Sequence, residues 1–161
     1  MSKKQHCYIS RVYWSIESES LSAIRREVFV QEQAVPIEIE LDGLDDAAIH
    51  FLAQDLTGKA IGCARLLTNG KLGRMAVLKS WRGKGVGRAL LDFAIRIAEE
   101  LGIAQLSLSA QTHAIAFYER AGFVAHGEIY EEAGIPHRMM RYCKALKDGQ
   151  ETVPFQTNSE H

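Results

Sequence analysis

The stretch VLKSWRGKGVGRALLDFAIRIAEELG, residues 77 to 102, constrains this chain more than any other. It reads as the end of a strand, a glycine-rich turn bearing Arg82, Lys84 and Arg88, and then an amphipathic helix. Gly83, Gly85 and Gly87 remove side chains where a backbone must approach something closely. The helix opens with unpaired amide N–H groups at the positive end of its dipole. Turn and helix start together make a cradle for a phosphate-bearing ligand. Two better-known nucleotide motifs fail at this place. No Ser or Thr follows a glycine–lysine pair, so the magnesium ligand of GxxxxGK[ST] is missing. Arg88 stands where the third glycine of GxGxxG belongs.

Around this turn the pattern alternates strands and helices. Residues 6 to 14 read as a strand, and Ser20 or Ser22 as the cap of a helix running to about Gln33, with Leu21, Ile24, Val28 and Phe29 at helical spacing. An irregular acidic segment, PIEIELDGLDD, follows. Residues 48 to 54 and 60 to 68 flank the turn DLTGK as a hairpin, and TNGK leads into a strand at 72 to 78. The helix from about Gly85 to Leu101 is expected to bury Leu90, Phe93, Ala94, Ile97 and Leu101, and to end at Gly102. A strand at 104 to 110, a short helix at 112 to 121, and strands at 123 to 130 and 137 to 144 complete the order. Residues 1–146 read as one domain, and the polar stretch 147–161 as a C-terminal tail.

Charge and cysteines narrow the class. A formal net charge of −1 gives no general attraction to nucleic acid or to an anionic membrane. Cys7, Cys63 and Cys143 lie too far apart for a paired zinc motif or a disulfide framework, which fits a reducing, cytoplasmic setting. No apolar run reaches membrane-spanning length.

Arg82-x-x-Gly85-x-Gly87 after a strand resembles the [RQ]xxGxG[AG] motif of the GCN5-related N-acetyltransferases (GNAT), and HAIAFYERAGF, residues 113 to 123, resembles their AxxFYxxxGF helix. REVFVQEQAVPIEIELDGLDDAAIHFLA and GIPHRMM are similar to the ElaA/YjcF-type branch. The resemblance implies an α/β GNAT fold: a mixed, strongly bent and splayed central sheet flanked by helices. It implies acetyl-CoA as co-substrate, lying where the strand at 72 to 78 bulges away from its neighbour. The backbone of Met75, Ala76 and Val77 would then hold the pantetheine amides. The turn Arg82, Gly83, Lys84, Gly85, Val86, Gly87 and Arg88 would hold the pyrophosphate, with His113 and Phe117 as cofactor neighbours.

Amide formation needs a neutral amine and a proton for the departing thiolate. Thiols titrate near ~8.5 and phenols near ~10, so a tyrosine can reprotonate that sulfur. By resemblance Tyr118 is that acid, against a purely packing role beside Phe117. His137, in GIPHRMM, is the candidate base, with His50 or a water path as alternatives. Glu38, Glu40, Asp42, Asp45 and Asp46 fall within nine residues and would either attract a cationic amine or form a solvated loop. Arg25 and Arg74 would suit an acidic acceptor instead. No metal is expected, because the thioester is already activated. The sequence-level conclusion is an N-acetyltransferase acting by direct transfer on a small-molecule amine, with a homodimer expected. A non-catalytic acyl-CoA sensor and a protein lysine or N-terminal acetyltransferase are the alternatives.

Overall fold

In the computed structural model, which describes residues 6–144, seven strands form one open mixed sheet. They are β1 (Cys7–Val12), β2 (Ile49–Asp55), β3 (Ala60–Leu66), β4 (Lys71–Val77), β5 (Ser107–Gln111), β6 (Phe123–Glu132) and β7 (Ile135–Tyr142). Their order is β1-β2-β3-β4-β5-β7-β6, antiparallel throughout except for the parallel pair β4–β5. The tail expected from Lys147, and the boundary at 146, lie outside the described residues. No helix among the described residues is long and apolar enough to cross a membrane.

Strands β2 and β3 read as nearly unbroken apolar runs because both of their faces are covered. Phe51, Ala53, Ile61 and Leu66 face the helix α3 (Val86–Glu100), while Leu52 and Cys63 face the helix α1 (Trp14–Arg25). Each fully buried Leu, Ile or Phe stabilises the fold by about 1.5–3 kcal/mol, so these two layers fix the sheet from opposite sides.

The first helix departs from the expectation. It begins at Trp14, not at a serine cap, and Tyr13 at its N-cap makes no side-chain capping bond. Packing outweighs capping here: the Trp14 ring lies 5.1 Å from that of His50, beneath the guanidinium of Arg25. The backbone is non-helical at Glu17, and beyond Arg25 the coil widens into a π-helical stretch, Arg26–Glu32. A short helix α2 (Ile37–Glu40) stands inside the segment expected to be irregular.

Helix α3 also buries a different set. Val86, Ala89, Leu90, Leu91, Ala94, Ile95 and Ala98 are buried, whereas Leu101 is exposed. Ala94 and Ala98 let the helix lie close to the sheet. Phe93 moves to its flank, edge-on to Phe51 and covered by the Arg96 guanidinium. Gly102 does end the helix: its N–H bonds Glu99 O and that of Ile103 bonds Ala98 O, the paired closure of a Schellman turn. Thr112–Ala114 form a single 3₁₀ turn leading into the helix α4 (Ile115–Arg120).

Candidate active site

One irregularity in β4 opens the cleft. Cys63 pairs with Ala76 and Arg65 with Gly73, so two steps along β3 face three along β4. The extra residue makes a bulge, and Arg74 within it takes φ +47, a conformation strained for a residue with a Cβ. Past the bulge β4 leaves β5: the two are in register only at Lys71–Ser107 and Leu72–Leu108. Met75, Ala76 and Val77 therefore line a cleft of about 810 Å³. The bulge and splay expected for residues 72 to 78 are both present.

The glycine-rich turn forms the next wall. Gly83 and Gly85 have φ +74 and +85, and Gly85 is the N-cap of α3 without any side-chain cap. The first helical bond is Ala89 N–H to Gly85 O, which leaves the amides of Val86, Gly87 and Arg88 without an intrahelical partner. A Cβ on Gly87 would stand 3.4 Å from Phe117, an ordinary contact, so the helix start already lies against α4. Gly83, Gly85, Val86, Gly87 and Arg88 all line the cleft. This backbone, with the positive end of a four-turn helix behind it, suits a pyrophosphate. The basic side chains are less free than their sequence suggests. Arg82 pairs with Glu32 at 2.8 Å and donates to Val77 O, and Arg88 pairs with Asp92. Lys84 lies over the ring of Trp81, 5.0 Å from its centre, and does not itself line the cleft.

Tyr118 and His137 line the same cleft, together with His113 and Phe117. Tyr118 stacks edge-on between Phe117 and Phe123, and among the described residues its hydroxyl has only a long contact to Met75 Sδ at 3.9 Å. Burial pushes its phenol up to about 12, so it holds its proton at neutral pH. His137 is buried, and its Nδ1 lies 2.6 Å from Ile135 O. A carbonyl only accepts, so Nδ1 carries the hydrogen and Nε2 of the neutral ring is bare. His50 lies elsewhere: it is fully buried, with Nε2–H donating to Asp45 O at 2.8 Å, and does not line the cleft.

The acidic segment is not a solvated loop. Glu40 and Asp45 are buried, and Arg25, itself 1% exposed, hydrogen-bonds both. Arg65 grips Asp42 through two bonds, 2.7 and 2.9 Å, and reaches Asp45 at 3.1 Å. Arg74 lies 2.9 Å from Glu40 and 3.1 Å from Asp42. Hydrogen bonding to Arg65 holds the Asp42 carboxyl well below the usual range. Burial pushes Asp45 up, but the guanidinium groups of Arg25 and Arg65 outweigh it and the net shift is downward. Three arginines thus neutralise three carboxylates. Arg25 and Arg74 have no charge to spare for an acidic acceptor, and Glu40 and Asp42 have none for an amine.

Sequence reasoning passed over Glu132, Ser109 and Tyr130. β6 runs two residues beyond the expected end at 130, which brings Tyr130 opposite His137 and Glu132 opposite Ile135. Alternation traced back from His137 across a tighter hairpin is the signal that would have found them.

The Acetyltransferase (GNAT) domain family matches residues 15–144. The uncharacterized N-acetyltransferase YjcF of Bacillus subtilis is 39% identical over 121 residues, 73% of this chain and 86% of that protein. A crystal structure of an acyl-CoA N-acyltransferase from Pseudomonas aeruginosa superimposes with a TM-score of 0.77 at 35% identity, covering 85% of this chain and 99% of the other. Escherichia coli ElaA gives a TM-score of 0.77 at 28% identity, over 84% and 99%.

Proposed function

We propose that this chain, which belongs to the GCN5-related N-acetyltransferase family, moves an acetyl group from acetyl-CoA directly to a primary amine of a small molecule. Membership makes it an acyl-CoA-dependent N-acetyltransferase, and its place is in the ElaA/YjcF-like branch. The acetyl donor, the acceptor, the ternary complex and the residue roles are our reading.

The observation that carries it is a single cleft. The open side of β4 at Met75–Val77, the uncapped start of α3, the Tyr118 phenol and the His137 imidazole all border one space. The splayed strand suits the pantetheine amides, and the amides of Val86 to Arg88 suit the pyrophosphate. The thioester supplies an acetyl group that is already activated. His137 takes one proton from the protonated amine at Nε2, which frees the nitrogen lone pair. As the C–N bond forms and the C–S bond breaks, Tyr118 gives its hydroxyl proton to the leaving sulfur. The second proton lost by the nitrogen restores the phenol. An amide N–H near Met75 to Val77 would steady the oxyanion.

Direct transfer rests on the cysteines. Among the described residues no thiol lines the cleft, and Cys63 is buried, with its thiol pushed up to about 12 by desolvation. A thiol in that state is a poor nucleophile. A cytoplasmic setting and a homodimer belong to the same reading, the latter checked by mass measurement in solution.

The test is CoA-thiol release from acetyl-CoA across a panel of small amines and peptides, with wild type, Tyr118→Phe and His137→Ala in parallel. Turnover with small amines that is lost in Tyr118→Phe is expected. Turnover with peptides alone would move the acceptor to proteins. Tight acetyl-CoA binding with no turnover would favour a sensor.

A further inference from the structure

Among the described residues, the cleft carries one carboxylate that no arginine or lysine claims. Of the acidic residues lining the space, Glu40 is held by Arg25 and Arg74, and Asp42 by Arg65 and Arg74. Glu132 is different. Among the described residues its charged or polar neighbours are Ser109, whose Oγ donates to Oε2 at 3.2 Å, and His137, whose Nε2 lies 3.7 Å from the same oxygen. Its side chain is 52% exposed, so it meets both solvent and the cleft.

Its surroundings are built to hold this pair. The His137 ring is fixed at Nδ1 by Ile135 O and stacked at 23° on Tyr130. The Tyr130 hydroxyl in turn bonds Ser109 Oγ and lies 3.2 Å from Met139 Sδ. Bare Nε2 and carboxylate oxygen thus face one another too far apart for a strong hydrogen bond between them. Both are acceptors. A group with two or more N–H donors, seated between them, satisfies both at once, and a protonated primary amine is such a group.

The geometry points to Glu132 as the residue that docks the acceptor's ammonium group against His137, and so to a cationic primary amine as the acceptor class. This rests on the reading of the cleft as an amine transferase site, and it says which charge the acceptor must bring. The proton step balances locally: one N–H proton passes to His137 Nε2, and a positive charge beside the Glu132 carboxylate is replaced by another, on the imidazole. No separated charge has to be created in the cleft. The cleft also has an apolar wall, which suits an acceptor with an apolar carbon frame. Ile39 and Leu44 line the cleft while 49% and 47% exposed, and Phe29 and Val35 continue that wall.

Calorimetric titration of the CoA-loaded protein with benzylamine, benzyl alcohol and phenylacetate tests this, in wild type, Glu132→Gln and Glu132→Asp. Benzylamine is expected to bind wild type best of the three, to weaken tenfold or more in Glu132→Gln, and to recover part of that loss in Glu132→Asp. Benzyl alcohol should not distinguish the proteins. Equal benzylamine affinity across the three proteins, no benzylamine binding to wild type, or a preference for phenylacetate drawn by Lys71 would each overturn the assignment. Because binding is read without turnover, the two readings fail separately. Amine held at Glu132 with no CoA released keeps this site and sinks the transferase reaction on amines. CoA release indifferent to Glu132 does the reverse.

Discussion

Arg25 and Asp45, twenty residues apart in the chain, meet inside the protein as a two-pronged pair, Nη1 to Oδ1 at 2.7 Å and Nη2 to Oδ2 at 3.2 Å. The same guanidinium holds Glu40, so one side chain ties α1 to two points of the acidic segment. That segment forms part of the cleft wall through Ile39, Asp42 and Leu44. A charge network that is balanced within itself therefore shapes one wall of the cleft.

Arg25→Met should cost about 3–5 kcal/mol, because it leaves Glu40, Asp42 and Asp45 to share Arg65 and Arg74, one negative charge in excess beside the core. Urea unfolding measures it. Arg25→Met combined with Glu40→Gln and Asp45→Asn should recover much of the loss. A single mutant as stable as wild type would show that the network carries no weight.

Stability should fall with acid in two stages. Burial keeps His50 below its ordinary value, against the pull of the Asp45 carbonyl and charge, so the unfolded chain binds its proton first. Its contribution is complete above about pH 6.5 and erodes as the pH drops below that. Asp42 and Asp45 are also depressed, so theirs is present above about pH 3.9 and is lost as the pH falls through that region. Denaturation midpoints between pH 8 and 3 should show both, and His50→Gln should remove the upper stage alone. A wild-type midpoint that holds steady from pH 7 to 5 would contradict the assignment.

Tyr118→Phe should lower kcat by about 10²-fold or more while leaving the KM for acetyl-CoA and the unfolding midpoint nearly unchanged. The hydroxyl has only its 3.9 Å contact to Met75 Sδ to lose, so a large stability change would mean that it is a structural group. With the phenol pushed up to about 12, its deprotonation should not reduce the wild-type rate between pH 8 and 10.

Much of this arrangement can be read from residues 72 to 123, and the reason is local. A strand, a turn needing positive φ at Gly83 and Gly85, and a periodic helix each signal themselves within a few residues. The same holds for Phe117 and Tyr118 in α4. What stays hidden depends on partners distant in the chain. Nothing around Trp14 announces a helix start, because its reasons are His50 and Arg25. Nothing in PIEIELDGLDD tells a buried Glu40 from an exposed Glu38, because Arg25 and Arg74 decide it from two other elements. Glu132 was hidden by a two-residue error in one strand end, the kind of boundary that alternation fixes least well.

Gly85→Val and Gly58→Val should separate strain from ligand binding. Both glycines have positive φ, +85 and +90, and both have open space around a would-be Cβ, so each substitution should cost about 1–3 kcal/mol. Gly58 lies in the β2–β3 turn, away from the cleft. Only Gly85→Val should raise the KM for acetyl-CoA, measured against Gly58→Val at equal stability. Equal KM values would remove the turn from the binding surface.

The parting of β4 from β5 gives this protein a native state that its own chain leaves unfinished. On the proposed reading the missing strand partner is the pantetheine arm, so donor binding closes the sheet as well as filling a pocket. A ligand at 100 times its Kd adds about 2.7 kcal/mol to a folded state that alone binds it. The durability of the protein would then track the supply of its donor, and a cell depleted of acetyl-CoA would lose the enzyme's resistance to proteolysis along with its activity.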